Sequence, residues 1–274
     1  MTGRAPVVGL LYPGFGAEDD FPALEEKLGS SIRLPLVHTS VGVDAHAVDA
    51  LLYLGGAGRL ADGADRLLAG DRRPDSVMWA CTSGSFVFGT DGAREQVRAL
   101  AEHTGLPTSS TSLAFVAAVR HLGLTGVAVA ASYPEDVARR FVDFLADADI
   151  AVTTMASHGI LTAAEVGLLD ADGVRALVES IDATDAEAIL VPDTAMHSLA
   201  WLDDLERAAG RPVLTANQVT IWEGLRLLGE VPVLPGLGSL FGTAGAGSHD
   251  WRPAAAAGPG GEAVSARTRE GEHP

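Results

Sequence analysis

The chain repeats itself internally, and this repeat limits the possible folds more than any other feature of the sequence. Tyr12-Pro13 follows a first apolar run, Cys81-Thr82 follows a later one, Gly105-Leu106-Pro107 leads into a third, and a helix from Ser112 ends at Leu122-Gly123. The same landmarks return in the same order: Tyr133-Pro134, Asp193-Thr194, Gly210-Arg211-Pro212, and a helix after Asn217 that ends at Leu228-Gly229. Two similar units therefore join near residue 124. Ser112 and Asn217 are expected to be equivalent helix N-caps, each accepting from an orphan N–H of the following turn. Shared punctuation of strand–helix units is the competing explanation, but four matched landmarks in one order argue against it.

Between the landmarks, short Val-, Ile- and Leu-rich runs alternate with segments of helical period. The expected strands are Val7–Tyr12, Ile32–His38, Ser76–Cys81, Pro107–Thr111, Gly126–Ser132, Ala151–Ser157, Ala188–Pro192 and Pro212–Ala216. Near-continuous apolar character suits strands covered by helices on both faces, so the class is α/β with parallel sheets. Gly92–His103 is an expected helix with Val97, Leu100 and Ala101 on one face, stopped by Gly105. Gly55-Gly56-Ala57-Gly58 lacks the Lys-Ser/Thr of a phosphate loop and reads as a turn between helices. One lobe is expected from residues 1–112 with 217–241 and a second from 113–216, with 242–274, rich in Gly, Ala and Pro, as a disordered tail that Trp251 can pin.

Charge narrows the partners. Against 36 Asp and Glu stand 19 Lys and Arg, Lys27 being the one lysine, for a net charge of −17. Nucleic acid is excluded as a partner, since binding it needs clustered cations. No apolar run spans a bilayer, and Val7–Leu11 is too short for a secretory core, so a cytoplasmic location without membrane contact is expected. Cys81 is the sole cysteine, which excludes an internal disulfide and a multi-thiolate metal site.

In parallel sheets ligands gather at the carboxyl ends of strands. The repeat sets Cys81 and Asp193 at equivalent strand ends, so two facing units would present a thiol and a carboxylate to one pocket. After Cys81 come Thr82, Ser83, Gly84 and Ser85, whose hydroxyls and backbone N–H groups can cradle an anion without Lys or Arg. Such a cradle is expected to lower the thiol below its reference of about 8.5. A buried, inert cysteine is the alternative. For Asp193 the alternative is a cap on a helix spanning Ala195–Ala209. Glu18-Asp19-Asp20 suits the first turn of a helix. His38, His158 and His197 lie near strand ends but read more readily as packing residues than as ligands, and they lack metal-ligand spacing. Trp222 reads as core or interlobe packing.

Cys81-Thr82-Ser83, Tyr133-Pro134 after Val127–Ser132, and Gly-Arg-Pro-Val-Leu-Thr-Ala-Asn-Gln-Val-Thr-Ile-Trp at 210–222 resemble the maleate cis–trans isomerase branch of the aspartate/glutamate racemase superfamily, to which arylmalonate decarboxylase also belongs. The resemblance covers about residues 7–230. It implies two Rossmann-like lobes related by a pseudo-twofold axis, an active site between them, a last helix returning to the first lobe, and no cofactor or metal. By resemblance Cys81 is the nucleophile, and Thr82, Ser83 and Tyr133 bind a substrate carboxylate. The isomerases' second cysteine falls on Asp193, a group suited to acid–base work rather than nucleophilic attack. The decarboxylases keep the second cysteine and lack the first. An asparagine that the isomerases carry in the first loop is absent here.

The candidate set is therefore Cys81 and Asp193 as catalytic residues, with Thr82, Ser83, Tyr133 and Thr194 as substrate-binding residues. The first reading is a cofactor-independent isomerase of a small carboxylic or dicarboxylic acid, in which the Cys81 thiolate adds to a double bond and leaves after rotation. A second is decarboxylation of a malonate-like acid, or racemisation, by cofactor-free proton transfer. A third is a non-catalytic sensor of a small acid. The partner in each case is a small-molecule carboxylate, and a homo-oligomer is left open.

Overall fold

A computed structural model describes residues 4–14, 16–229 and 231–242. The expected tail from residue 243 onward, with Trp251, lies outside the described residues. Gly242 itself ends a short helix.

The first half runs β1 (Val8–Tyr12), α1 (Asp20–Lys27), β2 (Leu36–His38), α2 (Val48–Leu54), α3 (Ala57–Leu68), β3 (Ser76–Trp79), α4 (Ser83–Phe86), α5 (Gly89–Thr104), β4 (Thr108–Ser110) and α6 (Thr111–His121). The second runs β5 (Gly126–Ala131), α7 (Glu135–Ala146), β6 (Ala151–Ser157), α8 (Ala163–Gly167), α9 (Ala171–Glu179), β7 (Ala188–Val191), α10 (Leu202–Ala209), β8 (Val213–Thr215), α11 (Ala216–Arg226) and α12 (Gly238–Gly242). Each half forms one parallel four-stranded sheet, in the orders β2-β1-β3-β4 and β6-β5-β7-β8. The two orders are the same topology twice, as the landmark repeat requires.

The central strands β1, β3 and β7 are buried along their whole length and β5 from its second residue, which their apolar sequences favour. β6 departs from the expectation of cover on both faces: it lies at a sheet edge and is half exposed, and Thr153 and Thr154 give it a polar character that edge placement tolerates. Helices bury periodic faces, for example Leu60, Ala64 and Leu67 of α3 and Val137, Phe141, Phe144 and Leu145 of α7. Gly105, in the left-handed region at φ 67°, ends α5 as expected.

The two sheets share a core. Phe141 of α7 packs against Phe86 of α4 and Phe115 of α6, with ring centroids 5.3 and 5.4 Å away, and Phe86 reaches Tyr133 at 5.9 Å. Helix α11 seats directly on the first sheet. The Ser76 hydroxyl donates to the Gly224 carbonyl at 2.8 Å, and a Cβ at Gly224 would stand 2.3 Å from Val8, so only glycine permits this approach.

Ser112 and Asn217 are not N-caps. The caps are Ser110 and Thr215, two residues earlier, because the strands turn into their helices without a loop. The equivalence survives in another form, since Ser112 and Asn217 both occupy the second helical position. Ser112 donates to the Thr82 carbonyl at 2.7 Å, and the Asn217 amide donates to Asp20 at 3.2 Å and to the Met196 carbonyl at 3.4 Å. The serines that follow also match: Ser85 donates to the cap Ser110, and Ser198 to the cap Thr215, both at 2.9 Å.

As expected, Asp19 and Asp20 open α1, with Asp20 in its first turn, and Asp20 also makes a contact across the sheets. Its buried carboxylate accepts from the backbone N–H groups of Ser198 and Leu199 as well as from Asn217. Burial raises its pKa above the ordinary carboxylate value, and the three donors oppose the rise. A native pKa above the unfolded one means that this stabilisation is present in acid and lost as pH rises through the raised value. Asp20→Ala leaves the donors without an acceptor and is expected to cost about 2–4 kcal/mol in urea unfolding. Asp20→Asn should cost less and flatten the pH dependence above about pH 4; two variants matching the wild type at all pH values would contradict this role.

Candidate functional site

Cys81 lies two residues beyond β3, 3% exposed, where the chain turns into α4. The turn is tight because Gly84 comes close to the sulfur: its N–H donates to Cys81 Sγ at 3.3 Å, and a Cβ there would meet the sulfur at 3.1 Å. Gln96, buried on α5, braces the turn by donating to the carbonyls of Gly84 at 3.0 Å and Gly55 at 2.8 Å. The Ser83 hydroxyl lies 3.9 Å from the sulfur. Thr82 Oγ1 is buried without a hydrogen-bond partner among the described residues.

Burial decides the state of the thiol. Loss of water pushes the Cys81 pKa up to about 12; the Gly84 N–H and Ser83 hydroxyl oppose the rise without cancelling it, and the charge of Asp193 adds to it. The expectation of a lowered thiol is therefore overturned. The backbone N–H groups of Gly84 and Ser83 and one distant hydroxyl do not replace the water that a thiolate loses.

Asp193, 4% exposed, follows β7 after Pro192. Its Oδ1 accepts from the Ala195 N–H at 2.9 Å, and its Oδ2 accepts from the Ser132 hydroxyl. It does not cap a long helix, since residues 193–201 form turns and irregular chain and α10 begins at Leu202 with Trp201 in the cap position. The carbonyls on either side of Asp193 are held by the repeat's two tyrosines. Tyr133 donates to Pro192 from the second sheet, and Tyr12 donates to Thr194 at 3.0 Å from the first. Burial raises both phenols well above their ordinary value, with the charges of Asp193 and Cys81 among the further causes, so both remain neutral donors. The Thr82 and Ser83 hydroxyls lie beside the Tyr133 oxygen, within electrostatic reach.

Cys81, Thr82, Ser83, Tyr133 and Asp193 thus converge, and Thr194 contributes its backbone carbonyl to the clamp. The histidines singled out in the sequence go elsewhere. His38 is exposed and edges Tyr12 at 6.1 Å, His158 contacts Ser180 at 3.1 Å, and His197 pairs with Asp19 at 2.7 Å. A histidine that sequence reasoning missed, His46, is buried with Nε2 3.9 Å from Asp193 Oδ2. No motif marks it, because it reaches the site on an irregular loop. Tyr12 and Ser132 were missed as well, although the pairing of Tyr12 with Tyr133 in the repeat was a usable signal.

A family model described as arylmalonate decarboxylase matches residues 35–241. The arylmalonate decarboxylase of Bordetella bronchiseptica is 32% identical over 242 residues, 86% of this chain and 96% of that protein. The maleate isomerase of Geobacillus stearothermophilus is 26% identical over 177 residues, 62% of this chain and 70% of its own. Among solved structures, a liganded arylmalonate decarboxylase carrying a glycine-to-cysteine and a cysteine-to-serine change aligns with a TM-score of 0.74 at 27% identity, covering 86% of this chain and 99% of that one. Among the described residues no helix is long and apolar enough to cross a membrane.

A thiol held near 12 carries only about one thiolate in 10⁴ at pH 8. Iodoacetamide is therefore expected to alkylate Cys81 far more slowly than a free cysteine, with a rate that climbs about tenfold per pH unit up to pH 9. A rate that levels off near pH 7, followed by mass spectrometry of the intact protein, would contradict the neutral thiol.

Proposed function

Because the chain belongs to the arylmalonate decarboxylase family, we propose that it decarboxylates a malonate-type acid and that Cys81 is the acid that protonates the resulting carbon. The observation that carries this reading is a neutral, buried thiol next to a buried hydroxyl, Thr82 Oγ1, that lacks a partner. One carboxylate leaves as carbon dioxide and its bonding electrons pass to the α-carbon, where the remaining carboxylate delocalises them as an enediolate. Thr82 and Ser83 donate to the oxygens that gain charge, and the Thr82 hydroxyl gains the partner it lacks. The Cys81 S–H then gives its proton to carbon, and the thiolate left behind recovers a proton from solvent. An enediolate is far more basic than a thiolate, so a pKa near 12 does not hinder this transfer. Asp193 serves as the acid–base partner on the opposite side, and Tyr133 and Thr194 fix its position. The site is read as lying between a lobe of residues 1–112 with 217–241 and a lobe of residues 113–216.

A second reading has its own support. Likeness to a maleate isomerase, together with a cysteine whose sulfur accepts the Gly84 N–H, suits addition of a Cys81 thiolate to an alkene, rotation and elimination. That route requires substrate binding to remove the thiol proton first.

Incubation in deuterium oxide separates the two by proton NMR. Phenylmalonate is expected to give α-deuterated phenylacetate, and a prochiral 2-methyl-2-phenylmalonate one enantiomer in excess, because the thiol faces one side only. Conversion of maleate to fumarate would favour the second reading. Cys81→Ala should lower kcat by about 10²–10⁴, and undiminished turnover in that folded variant would remove Cys81 from the reaction.

A further inference from the structure

The loop between β2 and α2 crosses to the second sheet and is fastened there. His46 N–H donates to the Leu161 carbonyl at 2.7 Å, and Asp44 accepts from the Ala163 and Ala164 N–H groups at 2.9 and 3.1 Å. These bonds hold the His46 ring in place, 8% exposed, with Nδ1 2.8 Å from the Ile160 carbonyl. A carbonyl only accepts, so Nδ1 carries a hydrogen and Nε2 is the nitrogen free to gain or lose a proton. Nε2 faces Asp193 Oδ2 at 3.9 Å, and the ring stands edge-on to Tyr133 with centroids 4.9 Å apart.

The other groups facing this pair do not supply positive charge. Ser132 and the Ala195 N–H donate to Asp193 as neutral dipoles, Tyr133 is a neutral phenol, and Cys81 is a neutral thiol. Asp44, two residues from His46, is turned to the start of α8. Among the described residues, His46 is thus the basic side chain within ion-pair distance of Asp193, a cation only when protonated.

We propose that His46 is a positioning residue that sets the charge the site shows to its substrate. As an imidazolium it neutralises Asp193 and an anionic acid can enter; as a neutral ring it leaves the Asp193 charge unopposed and repels the anion. This deepens the decarboxylase reading, on which its substrate class rests: the site takes the acid as its anion, dianions being more sensitive to the gate than monoanions.

The sole cysteine allows a test that needs no turnover. The rate ratio of iodoacetate, an anion, to neutral iodoacetamide at Cys81 reports the local potential, and the thiolate fraction cancels. Between pH 5.5 and 8.5 the wild-type ratio should fall at least fivefold. In His46→Gln it should be low and flat, and in Asp193→Asn it should lie above the wild type throughout while still falling as His46 loses its proton. A wild-type ratio that stays flat, or a His46→Gln ratio that follows the wild type, overturns the proposal, as does a high ratio in His46→Asn, the second variant. With phenylmalonate, His46→Gln should raise KM about tenfold at pH 6 and change kcat less than threefold. If phenylmalonate is not turned over, the decarboxylase reading fails while the alkylation ratios still decide the role of His46.

Discussion

Two tyrosine hydroxyls fix the peptide around Asp193, and the site depends on that clamp. Tyr133 donates to the carbonyl before Asp193 and Tyr12 to the carbonyl after it. Tyr12 ends β1 and Tyr133 lies two residues beyond β5, the equivalent strand of the second sheet, so the clamp draws one loop against both. Tyr12 also accepts from the Ala17 N–H at 3.1 Å, which ties the first loop to the same phenol. Asp20 and Asn217 grip the far end of the loop at Ser198, Leu199 and Met196. Each of these groups is buried, and an unpaired buried donor costs about 1–3 kcal/mol. The network therefore opposes motion of Asp193 more strongly than any one of its bonds would.

Much of this architecture was legible in the sequence because it is written twice. The landmark order gave the paired sheets, the equivalence of Cys81 with Asp193, and the special status of Ser112 and Asn217. The mechanism assigned to the last two was wrong for an instructive reason. N-cap preference is a local rule, but β4 and β8 run straight into their helices, so Ser110 and Thr215 take the caps and the next polar residue is freed for a carbonyl elsewhere. Asp20 shows the same limit. An acidic residue opening a helix is locally satisfied by the helix itself, and only the approach of the 193–201 loop gives it other partners. His46 had no local signal, since its role comes from a loop whose path is set by bonds to residues 160–164.

The electrostatic expectation at Cys81 failed on magnitude rather than on direction. The Gly84 N–H and the Ser83 hydroxyl do favour the thiolate, as a hydroxyl-rich turn should. Their combined effect is smaller than the cost of removing an anion from water at a fully enclosed sulfur. The sequence displays donors and hides burial, so a motif of hydroxyls and glycine overstates acidity whenever the turn closes over its own cysteine. Here the closure comes from Gly55, where a Cβ would stand 2.1 Å from the Gly84 carbonyl, so the α2–α3 junction presses on the turn as no side chain there would allow.

A thiol and a carboxylate at equivalent positions divide the labour in a way that two thiols would not. Asp193 has hydrogen bonds to both of its oxygens and an imidazole nearby. Cys81 has weaker support, the Gly84 N–H at 3.3 Å and a more distant Ser83 hydroxyl, and burial keeps it protonated. Two thiols in these positions would be chemically alike, whereas this pair sets a buried neutral thiol beside a hydrogen-bonded carboxylate. The asymmetry of the pair follows from burial and hydrogen bonding alone.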